Sequence, residues 1–259
     1  MSDVETHNRE IQANIANWKR KPLLRGIYRG FHEAIASQLA EGNSGSVVEL
    51  GSGVADIREV IPNCVRTDLF PNPWIDRVEN AYALSFGEQS VSNLILFDVF
   101  HHLRYPGAAL KEFRRALASR GRVIIFDPCL SAVGWVVYGA LHKEPVGIRE
   151  QIQWDAPAGW SPTDIDYYAA QGNATRIFLR REIDITDFGW NVITAKCLCS
   201  ISYVASGGYS GPQMYPTGAL PIMQAIDVLL DRMPRIFATR LLVVLERMDD
   251  AEPSAGGVA

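Results

Sequence analysis

Apolar residues recur along this chain at two spacings, and the alternation between them predicts its architecture. Ile11, Ile15 and Trp18, then Ile27, Phe31 and Ile35, stand at helical intervals, so residues 8–39 read as helix with a break at Lys21-Pro22. A turn cluster follows at 41–45. Ser46–Leu50 is a short apolar strand, and residues 55–61 have room for a short helix closed by Pro62. Residues 64–67 read as a second strand ending at Asp68, a further short strand falls near Ala81, and 93–97 is a third clear run, followed by Asp98. A helix over 106–118 carries Leu110, Phe113 and Leu117 on one face, and 122–126 is another buried strand. Short apolar strands alternating with amphipathic helices call for a mostly parallel sheet with helices on both faces.

The pattern changes after Pro128. Residues 129–175 hold Trp135, Tyr138, Trp154, Trp160, Tyr167 and Tyr168 among prolines and glycines, with no sustained period. A stretch of that length inside a compact domain reads as a functional cap rather than a plain connection. A helix over 175–181 and a strand over 190–204 resume the core. Residues 205–216 form a Gly-, Ser- and Tyr-rich loop, Leu220–Leu230 is helical, and 237–246 is a final strand.

Composition narrows the partners. A chain of 259 residues can bury one sizeable core, and its net charge of −4 offers no strong field to nucleic acid. The one basic cluster, Lys19, Arg20, Lys21 and Arg25, reads as a solvated helix end. Cys64, Cys129, Cys197 and Cys199 lack zinc-site spacing and read as buried, reduced thiols of a cytoplasmic protein; no metal is expected. A strand through Cys197 and Cys199 points both toward one face. The polar, acidic first residues do not resemble a secretory signal, and no apolar stretch reaches the roughly 20 residues that span a bilayer, so stable membrane insertion is not expected.

The central chemical signal is Glu49-Leu50-Gly51-Ser52-Gly53, at the end of a strand and the start of a helical segment. Glycine at 51 and 53 lets the backbone turn sharply and lets a ligand lie against bare main chain. Asp68 ends the next strand, where a carboxylate can accept from both hydroxyls of a ribose; a turn or capping role is the plain alternative.

At this point the sequence resembles the class I S-adenosylmethionine methyltransferases, in the branch with a short ubiquinone-biosynthesis-like core. The resemblance covers 47–128. Glu49-x-Gly51-x-Gly53 resembles the acidic, glycine-rich first motif, and Thr67-Asp68 the ribose-binding acid. Asn80-Ala81 with Leu84-Ser85-Phe86 resembles the Asp-Ala and Leu-Pro-Phe segment at the adenine. The run from Leu96 through His101, His102 and Leu103 resembles the fourth-strand end with its double-histidine turn, and 116–123 the turn before the fifth strand. The third glycine is Ala55, the adenine-site Asp is Asn80, and Ser85 replaces a proline; none of these departures deletes a required charge.

The resemblance implies a Rossmann-like, doubly wound, mostly parallel seven-stranded sheet with an antiparallel last strand and helical or loop cap insertions. It implies S-adenosyl-L-methionine as cofactor. Glu49, Gly51, Ser52 and Gly53 would hold its amino acid end, Asp68 and Leu69 its ribose side, Asn80 and Ala81 its adenine edge, and Asp98 and Val99 its methionine side. His101 is the candidate base for an acceptor that must lose a proton; a helix-start histidine bonded to backbone is the alternative, and His102 reads as structural.

One domain over 1–248 is expected: N-terminal helices 1–45, cofactor-binding core 46–128, cap 129–175 and C-terminal strands 176–248, with a lid loop at 205–216. A disordered tail over 249–259 follows. Cap and lid are expected to shape the site of a small-molecule or saccharide acceptor, with Gly207 and Gly208 as hinges and Tyr209 facing it. Two rival functions share the glycine loop. A nicotinamide-dependent oxidoreductase would usually carry a fuller glycine motif, and a non-catalytic adenosyl-binding scaffold would bind without transfer.

Overall fold

The computed structural model describes residues 12, 14–164 and 166–249. The expected start of the first helix and the tail from 250 onward lie outside them. The strands are β1 Ser46–Leu50, β2 Cys64–Asp68, β3 Arg77–Val78, β4 Val91–Phe97, β5 Leu117–Pro128, β6 Trp190–Cys199 and β7 Ala238–Arg247. They form a seven-stranded sheet in the order β3-β2-β1-β4-β5-β7-β6. Neighbours from β3 to β5 run parallel, and β7 runs antiparallel to both β5 and β6. The mostly parallel sheet is the one that the apolar alternation predicts, and its seven strands with a reversed last strand are those that the family resemblance implies.

Helix α1 occupies 14–20 and α2 Pro22–Ala36; Pro22 opens α2 at its first turn, which puts the break at Lys21. Helix α2 packs Phe31 and Ile35 over Ile95, Ile124 and Phe126 on one face of the sheet. Helix α3, Pro106–Ala116, packs Leu110 and Phe113 over Leu94, Leu96 and Val123 on the other. Among the described residues, the remaining α-helices are α4 Ala132–Val136, α5 Ile201–Ala205, α6 Leu220–Leu230 and α7 Pro234–Phe237, and π-helical turns occupy Val137–Leu141 and Thr175–Leu179. No helix among the described residues is long and apolar enough to cross a membrane.

Local structure departs from the sequence pattern in two places that matter. Residues 55–61 form only a 3-10 turn, Ile57–Glu59, capped by the Asp56 side chain. Seven residues ending at proline cannot repay the cost of nucleating an α-helix. The expected strand over 190–204 stops at Cys199 and gives way to α5. A register shift at Leu198/Cys199 breaks the two-residue alternation just there. Cys197 consequently meets Cys129, Sγ to Sγ 3.4 Å, while Cys199 faces Asp227 of α6.

Because β1, β2, β4 and β5 are parallel, their carboxyl ends share one edge. Leu50 pairs with Leu96 and Phe97 with Phe126, so Gly51, Asp98 and Asp127 emerge side by side. Ligands of open α/β sheets bind outside such an edge.

Candidate functional site

Glu49 lies near the end of β1 and is almost wholly buried. Ser52 Oγ donates to its Oε2 at 2.5 Å, and Arg66 Nε of the adjacent strand stands 3.8 Å away. Burial raises the Glu49 carboxyl to about 7, against the Ser52 hydrogen bond and the Arg66 charge. An incoming cation would therefore be met by a carboxyl poised between its two forms.

The glycine loop is held from below and open above. Gly51 has φ 69, and a Cβ there would stand 2.4 Å from Val99 Cγ2, so only glycine fits. A Cβ on Gly53 would meet nothing within 4 Å, while its carbonyl accepts from Arg66 Nη2 at 2.6 Å. Ser52 faces inward; its amide donates to the Thr67 carbonyl at 2.7 Å.

A cavity of about 240 Å³ opens here, lined by Glu49, Gly51, Gly53 and Asp98 on the sheet side and by Tyr28, Tyr203 and Tyr209 opposite. Tyr28 stacks on Phe97 with ring centroids 5.4 Å apart, and Tyr209 packs against Tyr28 and Trp18. Carboxylates facing aromatic rings suit a cationic ligand, and the open side of Gly53 leaves it room. Asp98 pairs with Arg240 of β7, a buried cation whose guanidinium lies 4.8 Å from the Tyr203 ring centre and 5.9 Å from that of Phe97.

The other expected cofactor residues stand beside this cavity rather than on it. Asp68 is nearly buried; its two oxygens accept from the Phe70 amide at 3.4 Å and from Asn72 Nδ2 at 3.3 Å, both long bonds. Leu69 and Ala81 are half-buried, and Val99 packs beneath Gly51. Asn80 donates through Nδ2 to the Pro162 carbonyl at 2.7 Å and accepts the Tyr82 amide at 2.9 Å through Oδ1. Trp160 packs edge-on against Tyr82 and Tyr105. The segment after Pro128 thus reaches over the position expected to read an adenine.

His101 is buried between two carboxylates. Its Nδ1 is 3.0 Å from Asp127 Oδ1 and its Nε2 3.5 Å from Glu144 Oε2. Burial disfavours the imidazolium, but Asp127 and Glu144 outweigh it and raise the pKa to about 10. Burial likewise opposes ionisation of Glu144, which His101, His102 and Tyr167 nevertheless lower to about 2. An imidazolium has no lone pair for another proton, so a base at His101 must first lose the proton that Asp127 and Glu144 favour. His102 binds the Tyr168 carbonyl through Nδ1 at 2.8 Å, and the two histidine rings lie 4.1 Å apart.

The sequence pattern does not single out Arg66, Arg240, Tyr28 or Glu144. Two of these left a trace: Arg66 and Arg240 are lone cations inside apolar strands, where a charge survives only with a partner. Glu144 left none, because the residues that use it come from the turn after β4 and the 167–171 segment.

Residues 52–125 match the family described as "Methyltransferase domain". No curated protein sequence matches the chain. Among solved structures, the complex of the Haloferax volcanii Trm112 methyltransferase activator with a methyltransferase aligns at TM-score 0.51 and 16% identity, over 86% of this chain and 92% of that one. An S-adenosylmethionine-dependent methyltransferase from Listeria monocytogenes aligns at TM-score 0.47 and 12% identity, over 84% and 96%. Geranyl diphosphate C-methyltransferase from Streptomyces coelicolor, solved with S-adenosyl-L-homocysteine, aligns at TM-score 0.48 and 11% identity, over 85% and 78%.

Proposed function

We propose that this chain, whose residues 52–125 match a methyltransferase domain, is a class I, S-adenosylmethionine-dependent methyltransferase that methylates a small-molecule or saccharide/lipid-linked acceptor beside the cavity lined by Glu49, Asp98, Tyr28 and Tyr209. The observation that carries the reading is the opposition of two carboxylates to an aromatic wall across one cavity. The cofactor, when bound, supplies a methyl group already activated by a sulfonium.

The residues then have to align, hold and exclude water. Glu49 takes the amino group of the cofactor's amino acid end, with Ser52 fixing its carboxylate. Gly51 and Gly53 let that end lie against main chain. Asp68, with Leu69 beside it, takes the ribose hydroxyls in place of its long bonds to the Phe70 amide and Asn72. Asn80 and the Ala81 amide read the adenine edge once the Asn80 amide leaves Pro162. Asp98 and Val99 line the methionine side. The 129–175 cap and the 205–216 lid close over the carboxyl edge and bound the acceptor. The whole of 1–248 acts as one cytoplasmic domain.

Calorimetry tests this directly. S-adenosylmethionine and S-adenosylhomocysteine should each bind in the micromolar range, about −7 to −8 kcal/mol. A response to a nicotinamide dinucleotide with none to either adenosyl ligand would overturn the reading. Mass spectrometry of a cell extract incubated with the protein and methyl-labelled cofactor should reveal a labelled acceptor; binding without any label would favour a scaffold.

A further inference from the structure

Glu144, His101 and His102 converge on a point that the proposed chemistry does not use. Glu144 Oε2 is 3.5 Å from His101 Nε2 and Glu144 Oε1 is 3.8 Å from His102 Nε2, and one ligand-capable atom of each residue lies within 4.8 Å of the others. The histidines follow β4, whereas Glu144 comes from the 129–175 segment, so three ligands arrive from two separate parts of the chain.

The outer nitrogens decide what the inner ones can do. His101 Nδ1 faces Asp127 Oδ1 at 3.0 Å, and His102 Nδ1 faces the Tyr168 carbonyl at 2.8 Å. Both are acceptors, so each ring keeps a proton on Nδ1, and an ion that displaces any proton from Nε2 meets the Nε2 lone pair. Carboxylates and carbonyls impose this same tautomer on metal-bound histidines. The distances from Nε2 to Glu144 exceed the roughly 2.7–2.9 Å of a charge-assisted hydrogen bond. They approach the roughly 3.4 Å that separates two tetrahedral ligands, each about 2.0–2.2 Å from one ion.

Buried polar atoms nearby lack partners. Gln171 donates through its amide to Glu144, yet its Oε1 has no hydrogen-bond partner among the described residues, and neither does Asp127 Oδ2. Both residues are almost wholly buried. Asp98 and Asp127 lie close to His101, and Arg240 cancels only Asp98.

We propose that His101, His102 and Glu144 bind a divalent first-row transition metal, with Asp127 and the Tyr168 carbonyl orienting the two rings. The exposed His142, 3.8 Å from Glu144, stands at the rim. Two imidazoles and one carboxylate favour a zinc-like ion over magnesium or calcium, which prefer all-oxygen shells. Three protein ligands leave a position open, as in catalytic zinc sites. An acceptor hydroxyl in that position would give up its proton to water more readily, and its oxygen would stay on the ion, so His101 is not needed as a base. His101 adjoins Asp98 of the cofactor assignments, but none of the three metal ligands is among them, so either reading can fail alone.

Untagged full-length protein, stripped by chelator and dialysed, is titrated with Zn²⁺ by calorimetry and with Co²⁺ by visible absorption. One Zn²⁺ per chain should bind with micromolar or tighter affinity, Mg²⁺ should give no comparable heat, and Co²⁺ should show the strong bands of a four- or five-coordinate site. Glu144→Gln and His102→Ala should each weaken Zn²⁺ at least tenfold, and Asp127→Asn about ten- to hundredfold. Circular dichroism of each variant reports folding, and S-adenosylhomocysteine binding is followed separately. No stoichiometric binding, or affinity that survives the variants, would overturn the proposal. Should Glu144→Gln fail to fold, the wild-type Co²⁺ spectrum decides, and a weak octahedral spectrum counts against it.

Discussion

Arg240 of β7 pairs with Asp98, the residue that leaves β4 in a left-handed conformation at φ 55. The guanidinium crosses the end of β5 to do so, and Phe31, Phe97, Phe126 and Tyr203 surround it. Arg240 is 2% exposed, so Asp98 and these rings replace its lost hydration. Arg240→Met keeps most of the volume and deletes the charge. Breaking a buried pair costs roughly 3–5 kcal/mol, and the partial exposure of Asp98 puts this case at or below the lower end. The freed Asp98 charge should also shift preference from neutral S-adenosylhomocysteine toward the sulfonium of S-adenosylmethionine by severalfold. Thermal melts and paired titrations read both effects. An unchanged melting point and an unchanged affinity ratio would detach this pair from the cavity.

Glu49 should make both stability and cofactor affinity depend on pH, with opposite signs. Its folded-state pKa of about 7 lies above the ordinary 4.5. Between those values the folded apoprotein keeps a proton that the unfolded chain has released, so stability is lost as pH rises through the window. A bound ammonium favours the charged form, so cofactor affinity should rise over the same range, by at most about tenfold per pH unit for one proton, and level off above it. Glu49→Gln should flatten the affinity profile and stabilise the apoprotein above pH 7. Calorimetry from pH 5.5 to 8.5 checks this, and a flat wild-type profile would remove Glu49 from the amino group.

Asp68 accepts at long range from the Phe70 amide and from Asn72 Nδ2. A ribose diol, in contrast, would give two charge-assisted hydrogen bonds of roughly 1.5–3 kcal/mol each. Asp68→Ala should therefore weaken S-adenosylhomocysteine about a hundredfold or more, with thermal melts of the variant reporting its folding separately. Unaltered affinity would show that the ribose lies elsewhere.

The elements that sequence reading recovers are those whose signal is local. Ser46–Leu50 and Leu220–Leu230 coincide with the expected bounds because an apolar run or stripe, ended by turn residues, specifies each. Residues 201–205 look equally strand-like, but the register shift at Cys199 ends β6 and lets them coil as α5. The site divides on the same principle. Glu49, Gly51 and Gly53 announce themselves within five residues of chain. Glu144 beside His101, Pro162 on Asn80 and Arg240 on Asp98 are contacts between distant segments, which no local pattern records.

Lys21 supplies the last such contact. It belongs to the basic cluster that reads as a solvated helix end, yet its Nζ donates to the carbonyls of Gly208 at 2.7 Å, Gly211 at 2.5 Å and Ser206 at 3.4 Å. Burial and the neighbouring Arg20 charge lower its pKa. The loop it holds is folded tightly on itself: Gly207 has φ 72, and a Cβ there would lie 2.2 Å from the Pro212 carbonyl oxygen. Tyr209, at the tip, is thereby pressed against Trp18 and Tyr28 and completes the cavity wall that faces Glu49. The lid is therefore tied to the junction of α1 and α2, and its opening must break these donations. Lys21→Met keeps the aliphatic stem and removes all three. Hydrogen exchange across 205–216 should quicken at least tenfold, equivalent to about 1.4 kcal/mol, while 46–50 and 123–126 keep their protection. If the loop stays as protected as before, the tether is not what holds it closed, and opening is governed by the packing of Tyr209 alone.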